Sequence, residues 1–295
     1  MKITAQIYRL IVPKFIRKKI LAKNLKEAIF RYFTVFPELV TNEIQQVLNY
    51  LKGNPIAIFP YPFQKKYRPE DIEVLFDSTK GLHYVMLDGK RLYFKKRWGI
   101  KRIQHSFNEL TREQDPESPH RYLTEQFKIE EGEVLVDIGV AEGNFALGAI
   151  EKASGLILFE TDKEWIEALN ATFEPWKEKV FFIEKYLSDE AGSSTISLDS
   201  ILVPESGSNY FIKLDIEGFE QKALSGMKKL IASGNPIKMN VCIYHHPEDR
   251  REIEATLVSN GFSCEVSDGY LIYFQRKEEP AFRKALIRAR KPAFL

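Results

Sequence analysis

The stretch Val134-Leu135-Val136-Asp137-Ile138-Gly139-Val140-Ala141-Glu142-Gly143-Asn144-Phe145 decides the fold. An apolar run of strand length ends in an acid, a glycine turn follows, and a helical pattern begins. In an open parallel sheet such a junction is where ligands bind, at the carboxyl ends of the strands. Gly139 lets a ligand approach the backbone with no Cβ in the way, and Gly143 lets the next helix pack close. A dinucleotide site wants G-x-G-x-x-G, with a pyrophosphate over the helix N-terminus. Here the spacing is G-x-x-x-G, with Asp137 before it and Glu142 inside it. Two carboxylates repel a pyrophosphate but suit a cationic amino-acid ligand, such as the methionine half of S-adenosylmethionine.

Working outward, strand patterns at Val134–Ile138, Leu156–Glu160, Val180–Ile183, Tyr210–Leu214 and Ile237–Ile243 alternate with helical ones. The helices fall near Asn144–Lys152, Lys163–Phe173, Glu217–Ala232 and Pro247–Asn260. This alternation predicts an α/β fold, a parallel sheet with helices on both faces. Ser263–Val266 and Tyr270–Phe274 read as an antiparallel hairpin at its end. Glu160 closes the second strand 21 residues after Gly139, where an acid can accept from both ribose hydroxyls.

The ends of the chain read differently. Ile3, Ile7, Leu10 and Ile11 share one helical face before Pro13 breaks it. A second helix sets Phe15, Ile16, Ile20 and Leu21 against Arg17, Lys18 and Lys19. Such a basic amphipathic helix docks on its own domain, on a second subunit, or on a membrane surface. Ile72–Phe76 is a strand candidate, and His83–Phe94, with Asp88-Gly89 at its centre, is a hairpin signal. A polar stretch from Thr111 to His120 leads onward. The expected units are an N-terminal one over 1–110, helical then antiparallel β, a main domain over 111–275, and a basic tail over 276–295.

Composition bounds the function. With 44% hydrophobic and 28% charged residues among 295, the chain can bury a sizeable core and is neither low-complexity nor disordered. Residues 1–31 hold nine Lys/Arg against Glu27 alone, and 276–291 hold seven against Glu278 and Glu279. The body between is net acidic, which speaks against a general nucleic-acid binder. No apolar run reaches the roughly 18 residues of a membrane span. Arg9 and Lys14 interrupt any secretory h-region. Cys242 and Cys264 read as buried thiols of a reducing compartment. The expected location is cytoplasmic, with the basic helix able to meet the inner face of a membrane.

Two further segments carry chemistry. On the Tyr210–Leu214 strand, Lys213 and Asp215 share the face opposite Ile212 and Leu214. Charges fit there if they reach the ligand cleft. Asp215 stands at the strand end, and Glu217 is read as opening a helix, where acids are favoured by the macrodipole. The next strand runs into Tyr244-His245-His246. His245 is thereby placed next to Asp215 as a general base for an acceptor hydroxyl. Asp215, Glu217 and His245 are the catalytic candidates; His120, Lys213 and His246 are the substrate-side ones. The catalytic three could instead ligate magnesium or manganese, but no metal is assigned. Upstream, Arg121 in Ser118-Pro119-His120-Arg121-Tyr122 could pair with a ligand carboxylate.

These residues resemble the FkbM-type S-adenosylmethionine-dependent methyltransferases. The resemblance rests on Val136-Asp137-Ile138-Gly139, Glu142-Gly143-Asn144-Phe145, Phe159-Glu160, Ser197-Leu198-Asp199, and above all Ile212-Lys213-Leu214-Asp215-Ile216-Glu217-Gly218-Phe219-Glu220. It covers about residues 118–275. It implies a Rossmann-like, seven-stranded class I methyltransferase sheet with S-adenosyl-L-methionine as cofactor. By the same resemblance Asp137, Gly139 and Gly143 hold the methionine and ribose side, Glu160 the ribose, and Ser188-Asp189 lie near the adenine, with Glu142, Asn144 and Phe145 as further cofactor-binding candidates. The expected reaction is O-methylation of a hydroxyl, on a sugar of a glycan or on a small natural product. A cofactor-binding module without chemistry is the alternative. Asp215-Ile216-Glu217-Gly218 replaces the Pro-Pro-aromatic signature of base N-methylation, so nucleic acid is not an expected partner.

Overall fold

The computed structural model describes residues 14–273 and 282–293. The helix read over Ile3–Ile11 lies outside them. Eight α-helices are described: α1 Lys14–Val35, α2 Asn42–Gly53, α3 Ile100–Glu113, α4 Asn144–Ala149, α5 Lys163–Phe173, α6 Glu220–Ser225, α7 Lys228–Ala232 and α8 Asp249–Ser259. The strands are β1 Leu75–Asp77, β2 Leu82–Leu87, β3 Lys90–Tyr93, β4 Val134–Ile138, β5 Gly155–Phe159, β6 Val180–Ile183, β7 Tyr186–Leu187, β8 Thr195–Ile196, β9 Tyr210–Leu214, β10 Ile237–Cys242, β11 Ser263–Val266, β12 Leu271–Ile272, β13 Phe282–Arg283 and β14 Leu286–Lys291. Among the described residues no helix is long and apolar enough to cross a membrane.

The central sheet has seven strands in the order β6-β5-β4-β9-β10-β14-β11. The first five are parallel, and β14 runs antiparallel to both its neighbours. The chain fills one half from β4 outward and then returns to begin the other half at β9. The switch point therefore lies between the carboxyl ends of β4 and β9. One face packs on a core that includes Val136, Ile212, Met239 and Leu230; the other packs Leu135, Leu156 and Phe211 against Leu92, Phe94 and Trp98 from the N-terminal region. That region is thus continuous with the core of the sheet rather than an appendage. Its β1-β2-β3 meander turns at Asp88 and Gly89, both left-handed at φ 49° and 77°, as the hairpin reading requires.

Three expectations need correction. The basic segment read as a tail supplies β14, which inserts between β10 and β11. The hairpin expected from Ser263–Val266 and the next strand does not form: β11 pairs with β14, and β12 pairs with β13. The charges of β14 are accommodated because Arg288 donates to the Arg121 and Tyr122 carbonyls, while Lys291 donates to those of Ile231 and Asn260. Third, the helix expected over Glu217–Ala232 splits into α6 and α7 around Gly226. A Cβ at Gly226 would stand 2.0 Å from the Ser188 carbonyl oxygen, so only glycine lets the segments pack there.

The N-terminal helices close on the sheet through a third core, where Ile29, Phe33, Val47 and Leu51 meet Ile272 and Phe282. Glu43, in the first turn of α2, clasps this contact by accepting from Lys284 Nζ at 2.8 Å and from the Gly269 amide. Burial pushes the Glu43 carboxyl up, but the Lys284 and Gly269 bonds outweigh it and hold it below its ordinary value. Its stabilisation is therefore complete above the unfolded pKa and is lost as pH falls through the folded one. The side chain stays 35% exposed, so the screened effect is under about 1 kcal/mol. Glu43→Gln is expected to lower stability slightly at neutral pH, with the difference from wild type vanishing below about pH 4, read by urea denaturation at both pH values.

Candidate active site

The turn after β4 is shaped by two glycines and one strained alanine. Gly139 has φ 82°, and a Cβ there would fall 2.1 Å from the Asp215 carbonyl oxygen. The glycine turn therefore lies directly on the end of β9. Gly143 has φ 81°, and its Cβ would meet Leu169 of α5 at 2.5 Å, which confirms the close helix packing read from sequence. Ala141 is held at φ 46°, a conformation that costs a non-glycine residue on the order of 1 kcal/mol or more. Its amide donates to Glu160 Oε2 at 2.9 Å, while Glu160 Oε1 accepts from the Thr161 and Asp162 amides. The carboxylate one strand over and the glycine turn are thus one hydrogen-bonded unit.

Lys213 and Asp137 face each other in register on β9 and β4. Their side chains are 6% and 1% exposed, with Nζ 3.0 Å from Oδ1 and 2.9 Å from the Gly139 carbonyl oxygen. Burial lowers the ammonium's pKa, but Asp137 and Asp215 together hold it above its ordinary value. The row continues across the sheet through Asn240, Arg288 and Glu265. Lys213 therefore joins Asp137 and the glycine turn.

Asp215 stands where β9 ends and gathers two tyrosines and two histidines around it. Tyr122 donates to Oδ2 at 2.8 Å, and Tyr244 donates to Oδ1 at 3.2 Å. His120 Nε2 lies 3.8 Å away and His245 Nε2 3.6 Å away. Burial pushes the Asp215 carboxyl up, but the charges of His120, Lys213 and His245 and the Tyr122 bond bring it below its ordinary value. His120 itself is driven down to about 4, chiefly by burial. Burial also lifts the Tyr122 and Tyr244 hydroxyls far up, and Asp215 adds to it, so both remain donors.

Glu217 does not open a helix. It sits at φ 57° in the turn before α6, with its side chain 79% exposed and Oε2 3.8 Å from His245 Nε2. The buried partner of His245 is Glu220, whose Oε1 lies 3.0 Å from Nδ1 and accepts from the Ile216 and Gly218 amides. His246 packs on the same turn: a Cβ at Gly218 would meet its Nε2 at 2.2 Å.

The remaining candidates divide. Asn144 opens α4, and Phe145 stacks edge-on with Tyr122, ring centroids 5.2 Å apart. Glu142 accepts from Ser106 of α3 at 2.8 Å, and burial raises its carboxyl. The recorded contacts of Ser188 and Asp189 run to each other, to β8 and to Gly226, not to the glycine turn. Arg121 offers its carbonyl to Arg288 and forms no ion pair among the described residues. Sequence reading assigned no role to Tyr122, Tyr244 or Glu220, though each lies inside a stretch it singled out. It also passed over Ser106, Lys95, which pairs with Asp162, and Glu113. Burial, with Asp215 and Glu142 close by, pushes the Glu113 carboxyl up to about 8.

The family description for a methyltransferase FkbM domain matches residues 92–264. The chain belongs to the FkbM methyltransferase family. No curated protein matches it at the sequence level. Solved structures with a similar course include a methyltransferase FkbM from Methylobacillus flagellatus, at 13% identity and a TM-score of 0.46 over 93% of this chain and 59% of that one. The FkbM-family chain thus spans about three-fifths of that protein's length. Another is the precorrin-6y C5,15-methyltransferase of Geobacter metallireducens, at 16% identity and a TM-score of 0.39, covering 56% and 84% of the two chains. A Streptococcus mutans protein in complex with SAH aligns at 13% identity and a TM-score of 0.36, over 55% and 90%.

S-adenosyl-L-methionine is the cofactor of this family. The residues present fit it. Glu113 and Glu142, both with raised carboxyl pKa values, crowd the cleft beside Asp215 and Glu160, and a ligand bearing a sulfonium and an ammonium relieves that repulsion. When bound, it supplies a methyl carbon on positive sulfur, which a nucleophile attacks in line while the C–S electron pair stays on sulfur.

Breaking the buried ion pair from one side leaves an uncompensated charge. Lys213→Met is expected to cost about 3–5 kcal/mol of stability. Adding Asp137→Asn in the same chain should restore part of it, read by chemical denaturation of the two variants.

Proposed function

We propose that the chain is an S-adenosylmethionine-dependent O-methyltransferase acting on a hydroxyl, with a sugar of a glycan or glycoconjugate as acceptor. The observation that carries this reading is the group around Asp215: a carboxylate held by two tyrosine hydroxyls, with the His245 imidazole beside it, at the switch point next to the glycine turn. Methyl transfer to oxygen needs alignment and removal of one proton as charge develops. In this reading Asp215, Glu217 and His245 activate the hydroxyl, and the Tyr122 and Tyr244 hydroxyls orient the carboxylate. Glu160, the Ala141 amide and the acidic cleft wall hold the cofactor side. The N-terminal region closes the cleft through Ser106 and Glu113, so we assign acceptor shape to it. The basic helix α1 would suit an enzyme working beside a membrane-held acceptor.

Calorimetry with S-adenosylmethionine, then mass spectrometry of glycan fractions incubated with protein and cofactor, tests the reading. The expected results are micromolar-range binding and gain of one methyl group. Glu160→Ala should weaken cofactor binding at least tenfold, or about 1.4 kcal/mol. Asp215→Asn should abolish the methyl gain while cofactor affinity changes little. Binding unchanged in Glu160→Ala would overturn the cofactor assignment, and transfer unchanged in Asp215→Asn would overturn the acceptor side.

A further inference from the structure

Helix α2 turns Ile44, Val47, Leu48 and Leu51 into the third core. Gln46, Asn49 and Tyr50 lie at the spacing that shares another face of the helix. That face forms one wall of a cavity of about 640 Å³. Tyr61, Glu117 and Pro119, and the Asp268-Gly269 turn between β11 and β12 close the other sides. The volume falls in the range of roughly 300–1,000 Å³ that holds small organic ligands. Its walls are braced. The Tyr61 hydroxyl accepts from the Tyr270 amide at 2.7 Å, and the Tyr50 hydroxyl accepts from Gln64 Nε2 at 2.5 Å. A Cβ at Gly269 would stand 2.7 Å from the Tyr61 hydroxyl oxygen and 3.1 Å from Pro119, so the turn lies tight against both.

The lining has hydrogen-bonding capacity left over and almost no charge. Among the described residues the side chains of Gln46 and Asp268 make no hydrogen bond, and Asn49 engages only its Oδ1, with Gln45 and Lys52. A tyrosine hydroxyl that accepts still has its own proton to give. No lysine or arginine is among the residues lining the cavity. Lys66 pairs with Glu117 at 2.5 Å, and Lys65 stands over the Tyr50 ring, 5.9 Å from its centroid. A phosphate or carboxylate therefore finds no counter-charge here, and an ionic group without one is costly to desolvate. The Glu117 charge is already met, which leaves Asp268 as a lone carboxylate and a weak attractant for a cation. What fits is an uncharged molecule with several hydroxyls, each both donor and acceptor, and an apolar C–H face for a tyrosine ring. A sugar ring has that chemistry.

The cavity adjoins the group around Asp215. Pro119 lines it, and the next residue, His120, brings Nε2 to 3.8 Å from Asp215 Oδ2. We infer that the cavity is a saccharide subsite, holding one neutral sugar unit of the acceptor glycan while a neighbouring unit presents its hydroxyl to Asp215. Its part in methylation rests on the O-methyl reading; sugar binding itself does not. Gln46, Asn49, Tyr50, Tyr61 and Asp268 all lie outside residues 92–264, the span of the family match. The subsite is thus built chiefly from segments added to the methyltransferase domain, and it gives α2 a task in choosing the acceptor.

The test uses the full chain and saturation-transfer difference NMR. The probes are the methyl glycosides of glucose, galactose and N-acetylglucosamine, with methyl glucuronoside as the anionic one. The expected result is transfer to at least one neutral glycoside and none to the glucuronoside. Gln46→Ala combined with Asn49→Ala, both at exposed residues, should cut the signal at least fivefold, with an unchanged Tm showing that the variant is folded. For a glycan that gains a methyl group, the same double variant should raise KM at least fivefold and leave kcat as it was. No transfer to any neutral glycoside, equal transfer to the glucuronoside, or a signal unchanged in the double variant would each overturn the subsite. If the glycosides bind here and no glycan is methylated, the O-methyl reading falls and the sugar site stands. If a glycan is methylated with KM unchanged in the double variant, the subsite falls and that reading stands.

Discussion

An ammonium buried between two strands is the constraint on which the active-site end of this fold depends. Stripping Lys213 and Asp137 of water costs several kcal/mol per ion. That cost is met only where the carboxylate and the Gly139 carbonyl stand within reach of Nζ. The geometry ties β4 to β9 at the switch point and fixes the turn that begins at Gly139. It also sets the charge beside Asp215, two residues further along the same strand, and so helps keep that carboxylate ionised. One pair thereby serves both the glycine turn and the group around Asp215.

The cleft is not the property of the sheet alone. Ser106 of α3 bonds to Glu142 in the glycine turn, and Lys95 pairs with Asp162 at the start of α5. Residues 120–122 are strapped over the sheet by Arg288, which brings Tyr122 onto Asp215. The N-terminal region therefore packs on the glycine turn and the start of α5, and the family match begins inside it, at residue 92.

Much of this was readable in the chain, because local rules govern it. Asp88-Gly89 can adopt left-handed backbone, the apolar runs have strand length, and Gly139 and Gly143 occupy positions where a Cβ would collide. The acids at the ends of β4, β5 and β9 could be placed because strand ends point into the cleft. The misreadings arose where distant partners overrule local pattern. The basic run 286–291 becomes a strand because carbonyls from three other segments receive its charges. Glu217 lies in a left-handed turn because the helix start is deferred to Glu220, whose carboxylate binds the amides of that turn. Tyr122 and Tyr244 converge on Asp215 from positions 93 and 29 residues away, and no spacing rule relates them.

The placement of β14 bears on how the molecule is made. Both its neighbours, β10 and β11, precede it in the chain, and β14 is the one described strand that β11 pairs with, so β11 cannot join the sheet until residues 286–291 leave the ribosome. During that interval the carbonyls of Arg121 and Tyr122 have no guanidinium to hold them, and Tyr122 is not fastened above Asp215. The arrangement of Tyr122 on Asp215 is therefore completed by β14, a strand more than 70 residues further along the chain than either Tyr122 or Asp215.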